Sequence, residues 1–176
     1  GNNLRIKKSK IGILGGSFDP AHKGHLKVSK EAYKRFKLKK IIWAITKKNP
    51  FKKKSDQNIL SRIEYCKKII GKNKYIKVNF YENQIKSNKT INLINYLNRK
   101  NEHEIYFLMG ADNLINFHKW HKWKKIINKC KIIVFDRHGY KKKSLNSKAF
   151  KSLNGKNLNF VEFNKVNISS SQLRKI

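Results

Sequence analysis

The stretch Gly15-Gly16-Ser17-Phe18-Asp19-Pro20-Ala21-His22-Lys23-Gly24-His25 holds the residue types most able to handle a phosphate. Paired glycines let the backbone turn tightly and come close to a ligand. If a helix follows, its first N–H groups and its positive dipole end suit an anion. His22 and His25 stand three apart at that entrance. Two imidazoles there can donate hydrogen bonds to phosphate oxygens and stabilise charge on a phosphoryl group in transfer. Neither the dinucleotide pattern Gly-x-Gly-x-x-Gly nor a Gly-Lys-Ser/Thr phosphate loop occurs in this stretch. Asp19 precedes Pro20, and its simplest role is in the turn.

Two further segments carry chemistry. Met109-Gly110-Ala111-Asp112-Asn113-Leu114 runs on to Phe117-His118-Lys119-Trp120-His121-Lys122-Trp123. Aromatic side chains just after a glycine turn can stack on a flat ring. Trp123 and Phe117 are expected to pack into the core. Ile168-Ser169-Ser170-Ser171-Gln172-Leu173-Arg174 reads as a helix start with hydroxyls at the cap and a cation one turn in. Such a site can hold an anion, although plain capping explains the pattern equally well.

The elements that must position these residues alternate. Strands are expected at 10–17, 41–46, 75–81, 104–109, 131–136 and 158–163. Helices are expected at 24–36, 59–70, 90–99 and 120–128, with another starting at Ser169. Residues 47–56 read as a Lys-rich loop holding Pro50, and 139–157 as a surface loop with a partial helix. The strands are apolar runs without polar alternation. That indicates a Rossmann-like, doubly wound α/β fold with a mostly parallel sheet of five or six strands and helices on both faces. In such sheets ligands bind at the carboxyl ends of the strands. The length of 176 residues fits a single domain, with residues 1–9 as a flexible lead. The first residue, Gly1, reads as a scar of processing or cloning.

Composition narrows the classes. Hydrophobic residues make up 39% of the chain, which fits a globular core. The two cysteines, Cys66 and Cys130, follow no metal-binding spacing and suit a reducing, cytoplasmic setting. There is no apolar run long enough to span a membrane and no apolar signal core in residues 1–8. The net charge of +33 would attract polyanions. It is spread along the chain, however, and Arg supplies only 6 of the 43 basic residues. Lys, Asn and Ile share AT-rich codons, so a biased genome produces this composition without a functional cause. No RNA-type aromatic strand pair or helix-turn-helix is evident, which ranks a nucleic-acid-binding protein low.

The glycine–histidine segment resembles the signature of the nucleotidyltransferases with a His-x-Gly-His motif. Within that superfamily the chain is similar to the bacterial nicotinate-nucleotide adenylyltransferases, from Ile11 to the carboxyl end. Ile168–Arg174 resembles the family's second signature, Ile-Ser-Ser-Thr-x-Ile-Arg, with Ser171 for Thr and Leu173 for Ile. Gly110–Leu114 with Trp120 and Trp123 resembles Gly-Ala-Asp-x-Leu followed by Trp-x-x-Trp. The resemblance implies ATP binding by Gly15, Gly16, Ser17, Phe18, His22, His25, Gly110, Asp112, Ser169, Ser170 and Arg174. It implies that His22, His25 and Arg174 serve catalysis. It also implies acceptor binding by Lys52, Thr90, Trp120 and His121, with Trp120 stacked on a pyridine ring.

The implied reaction transfers adenylate from ATP to nicotinate mononucleotide in NAD biosynthesis. Mg²⁺ would be carried by the ATP phosphates, and no metal is held by the protein itself. Lys52 lies in Asn49-Pro50-Phe51-Lys52, which resembles the family's Pro-Pro-His-Lys loop. Arg62 matches an Arg of the family helix with a structural role. Lys89-Thr90-Ile91-Asn92-Leu93 keeps only the first Thr of Tyr-Thr-x-Asp-Thr-Leu, a segment that reads the pyridine carboxyl group. The amide mononucleotide therefore stays as an alternative acceptor. Phosphopantetheine is a more distant one, because its enzymes usually carry Thr where His22 stands and lack the Trp pair. Homo-oligomerisation is left open. The chain ends at Ile176, where many members of the resembled family continue, so a shortened last helix is expected.

Overall fold

The computed structural model describes residues 7–47, 55–136, 139–153 and 158–162. The six strands are β1 (Ser9–Gly16), β2 (Lys40–Ile45), β3 (Ile76–Asn79), β4 (His103–Gly110), β5 (Cys130–Asp136) and β6 (Leu158–Glu162). They form one sheet in the order β3-β2-β1-β4-β5-β6, and every pairing is parallel. The helices are α1 (Lys23–Phe36), α2 (Ser55–Ile70), α3 (Glu82–Ile85), α4 (Thr90–Leu97), α5 (Ala111–Ile115), α6 (Trp123–Lys129), α7 (Lys141–Leu145) and α8 (Lys148–Leu153). A 3-10 turn at Phe117–Lys119 joins α5 to α6. The expected doubly wound α/β architecture is present, with six strands.

Side chains along a strand alternate between the two faces of a sheet. Here both faces are apolar, which explains why the strands read as unbroken runs. On one face Ile13, Ala44, Phe107 and Val134 pack with Ile91 and Ile94 of α4, Leu114 of α5 and Ile126 of α6. On the other, Leu14, Trp43, Leu108 and Phe135 pack with Val28 and Ala32 of α1 and Cys66 and Ile70 of α2.

Gly12 allows one close approach. A Cβ on Gly12 would lie 3.0 Å from Leu38 Cδ1 and 3.2 Å from Ile41 Cγ1. A methyl group there would force the Leu38 and Ile41 side chains to give by a few tenths of an ångström.

Some boundaries differ from the expectations. The third strand stops at Asn79, whose Oδ1 accepts the Phe80 N–H at 2.8 Å; the chain then turns into α3, a helix the sequence pattern did not suggest. The helix expected at 120–128 begins at Trp123, because Lys122 takes a left-handed conformation with φ 52°. Between the fourth strand and that helix, Ala111–Ile115 form α5 and Phe117–Lys119 the 3-10 turn, two elements beyond those expected. The region 139–153 holds two short helices.

Candidate active site

In the strand order, neighbours lead away from β1 in opposite directions, through β2 on one side and β4 on the other. The crevice at their carboxyl ends is the place for a ligand in such a sheet. β1 ends there in Gly15-Gly16 and β4 in Gly110.

The turn from β1 into α1 is built by its own histidines. His22 is the N-cap of α1, and its Nδ1 accepts the Gly24 N–H at 3.1 Å. His25, at the third helical position, returns the favour: its Nδ1 accepts the His22 N–H at 3.1 Å. This is a capping box, normally built from Ser or Thr and Glu or Gln, made here from two imidazoles. It satisfies two backbone donors that helix geometry leaves without intrahelical partners. It also assigns the tautomer. With each Nδ1 accepting, the ring hydrogen sits on each Nε2, which makes both side chains donors there. The rings lie 3.9 Å apart between centroids.

Buried groups hold this pair from behind. Phe18 is 2% exposed and lies 4.6 Å from the His25 ring and 5.0 Å from the Trp43 ring, stacked on the latter. Its ring therefore belongs to the core, and what Phe18 can offer a ligand is backbone. Trp43 is fully buried and donates from Nε1 to Ser29 Oγ at 2.8 Å. Ser29 Oγ in turn donates to the His25 carbonyl at 2.8 Å.

Two narrow clefts open at the strand ends. The first is lined by Gly15, His25, Met109, Gly110 and Asn113, and lies over the β1–β4 switch point. The second is lined by Gly15, Thr46, Glu82, Thr90 and Phe107. Gly15 is common to both, and a Cβ there would meet nothing closer than Phe107 at 3.9 Å.

The second cleft has a mixed wall. Glu82 accepts the Lys47 N–H at 3.3 Å. Burial pushes the Glu82 carboxyl up, against that hydrogen bond and the charges of Lys47 and Arg62. Trp120 stands edge-on to Phe107 at 6.0 Å and to Phe117 at 5.1 Å. It is thus one ring removed from the cleft wall. Phe117 is fully buried, as expected, and Trp123 is partly buried against it.

The structure thus gathers Gly15, Gly16, Ser17, Phe18, His22 and His25 at the end of β1, with Gly110 at the end of β4. Asp112 lies in the first turn of α5, Thr90 opens α4, and His121 is exposed beside Trp120. Lys52, Ser169, Ser170 and Arg174 lie outside the described residues. Sequence reasoning missed Asn113, Thr46, Glu82, Ser29 and Trp43. For Trp43 a signal existed, a lone indole inside an apolar strand, which needs a partner for its N–H. Among the described residues no cluster of three His, Cys, Asp or Glu side chains could hold a metal. No helix among them is long and apolar enough to cross a membrane.

The cytidylyltransferase-like family model matches residues 13–176 of this chain. A protein of Pelagibacter ubique, named a nicotinate-nucleotide adenylyltransferase, is 66% identical over 99% of this chain and 97% of its own length. An Agrobacterium fabrum protein of the same name is 37% identical over 73% of this chain and 70% of its own. Among solved structures, the Plasmodium falciparum nicotinic acid mononucleotide adenylyltransferase complexed with APC aligns with a TM-score of 0.66 at 20% identity, covering 95% of this chain and 83% of that one. The same protein complexed with NaAD gives a TM-score of 0.64. At that identity the likeness is one of fold.

Proposed function

The chain belongs to the nicotinate-nucleotide adenylyltransferase family, within the cytidylyltransferase-like group, and from that premise we propose how its own residues transfer adenylate from ATP to nicotinate mononucleotide. The products are nicotinate adenine dinucleotide and pyrophosphate, so the enzyme serves NAD biosynthesis. One observation supports the assignment of the site: two clefts, one over the switch point and one lined by Thr90, share Gly15 as a lining residue.

The chemistry needs such a seam. An oxygen of the acceptor's phosphate attacks the α-phosphorus of ATP and forms a new P–O bond. The bond from that phosphorus to the bridging oxygen of the β-phosphate breaks, and its electron pair leaves with pyrophosphate. A phosphate is already ionised near neutral pH, so no side chain has to remove a proton. Catalysis reduces to positioning the two substrates and stabilising charge.

The switch-point cleft takes ATP and the Thr90 cleft takes the acceptor. The missing side chain at Gly15 lets the reacting phosphates come together. His22 and His25 donate from Nε2 to phosphate oxygens, and the start of α1 adds its dipole. Gly16, Ser17 and Phe18 offer backbone along the turn, and Gly110 and Asp112 bound the adenosine side. Trp120 and His121 line neither cleft, and it is the family resemblance that puts them at the acceptor's ring. Lys52 meets the acceptor phosphate, while Ser169, Ser170 and Arg174 meet the ATP phosphates. Those four assignments, and those of Asp112, Trp120 and His121, rest on the signatures alone.

Mg²⁺ arrives on the triphosphate, whose oxygens are the hard ligands it prefers. When bound it supplies neutralisation of phosphate charge. The test of the reading is pyrophosphate release from Mg-ATP, with nicotinate mononucleotide, its amide and phosphopantetheine offered separately.

A further inference from the structure

Among the described residues, Arg62 is the one charged side chain that is buried, at 4% exposure, in a chain whose other basic groups largely face solvent. A buried guanidinium loses water and needs partners. Arg62 finds them on the main chain. Its Nη1 donates to the Ser17 carbonyl at 2.7 Å and to the Thr46 carbonyl at 2.9 Å. Its Nε is buried and makes no hydrogen bond among the described residues.

Those two carbonyls are not arbitrary. Ser17 follows the Gly15-Gly16 end of β1 and leads into the turn that His22 and His25 cap. Thr46 follows the end of β2 and lines the acceptor cleft. The next residue, Lys47, donates its N–H to Glu82, another wall of that cleft. The Thr46 N–H is bonded to the Gly16 carbonyl at 2.8 Å, so the two strand ends are stapled once by the sheet and again by Arg62. One guanidinium therefore ties the wall that carries the phosphate turn to the wall that carries the acceptor. The separation of those walls sets the distance between attacking oxygen and phosphorus.

We propose that Arg62 is a positioning residue for the transfer step, holding the carboxyl ends of β1 and β2 at the spacing that in-line attack requires. This rests on the adenylyltransferase reading and deepens it. Arg62 acts through Ser17 and Thr46 and touches neither substrate. Loosening the tie leaves each half-site able to bind its own ligand, but the two ligands no longer meet in reactive alignment. Misplacement of about 1 Å is enough to slow a reaction by roughly 10²-fold.

The test uses full-length Arg62→Gln and Arg62→Lys proteins, assayed for pyrophosphate release well below their unfolding midpoints. The expected result is a kcat for Arg62→Gln lowered on the order of 10²-fold, with KM for ATP and for nicotinate mononucleotide each within about threefold. Arg62→Lys, which keeps a cationic donor, should fall between that variant and wild type. Wild-type kcat in a folded Arg62→Gln protein overturns the proposal. So does a loss of rate in both variants that only follows loss of folded protein, because the tie is then structural alone. A wild-type protein that turns over no acceptor at all refutes the adenylyltransferase reading, and this inference with it.

Discussion

His25 Nδ1 accepts the backbone N–H of His22 at 3.1 Å, while His22 Nδ1 accepts the N–H of Gly24 at the same distance. The fold of the turn and the proposed chemistry of the site thus share the same two rings. Each imidazole uses one nitrogen to begin α1 and keeps the other as a donor. The capping function can be separated from the donor function by a residue that caps but has no Nε2.

Asn is among the best N-cap residues. His22→Asn should therefore fold, with a thermal midpoint within a few degrees of wild type. Its kcat should fall by about 10²–10³-fold, the usual loss when a charge-stabilising donor is removed. Calorimetry and pyrophosphate release together check this. A variant with full activity would remove His22 from the site.

Gly12 and Gly15 lie on the same strand but should respond in opposite ways to an added methyl group. Gly12→Ala places a Cβ against Leu38, Ile41 and Leu108, at 3.0 to 3.4 Å. Overpacking of that kind costs about 1–3 kcal/mol, visible as a lower denaturant midpoint. Gly15→Ala has room in the protein, with its nearest neighbour at 3.9 Å. It should keep its stability and lose activity, because the methyl group stands at the seam of the two clefts.

Ser29→Ala removes the acceptor of the Trp43 indole and leaves a fully buried N–H unpaired. The cost should be about 1–3 kcal/mol in a denaturant titration. Trp43→Phe removes the N–H as well, so no donor is stranded. In the Ser29→Ala background, Trp43→Phe should therefore cost less than it does in wild type. An additive double-mutant cycle would contradict the network.

Both thiols should be inert in the native protein. Burial pushes Cys66 and Cys130 each up to about 12, so almost no thiolate exists at pH 8. Iodoacetamide should leave both unmodified in buffer and alkylate both in denaturant, as mass spectrometry would show. Rapid native alkylation of Cys66 would mean that the α2–sheet packing opens.

Much of this protein was legible in its residues because the information was local. The apolar strands, the glycine turn and the paired histidines each fall within a few consecutive positions. The expectation that Phe117 would be core was right for the same reason. What could not be read depends on contacts across the chain. Arg62 lies 45 residues from Ser17, so its tie to the first strand has no local signature. The Trp43–Ser29 bond spans 14 residues and two elements. The capping box was hidden by chemistry rather than distance, since two histidines replace the residues that normally announce one. The burial of the Phe18 ring against His25 likewise depends on a contact between separate segments, and it leaves the Phe18 backbone for a ligand.

In the proposed reaction this chain joins ATP and nicotinate mononucleotide across the seam at Gly15. The most direct measurement is pyrophosphate release from Mg-ATP with each of three acceptors offered alone. Release should be fastest with nicotinate mononucleotide, slower with its amide and absent with phosphopantetheine, and should collapse in Gly15→Ala. No release with nicotinate mononucleotide would contradict the account.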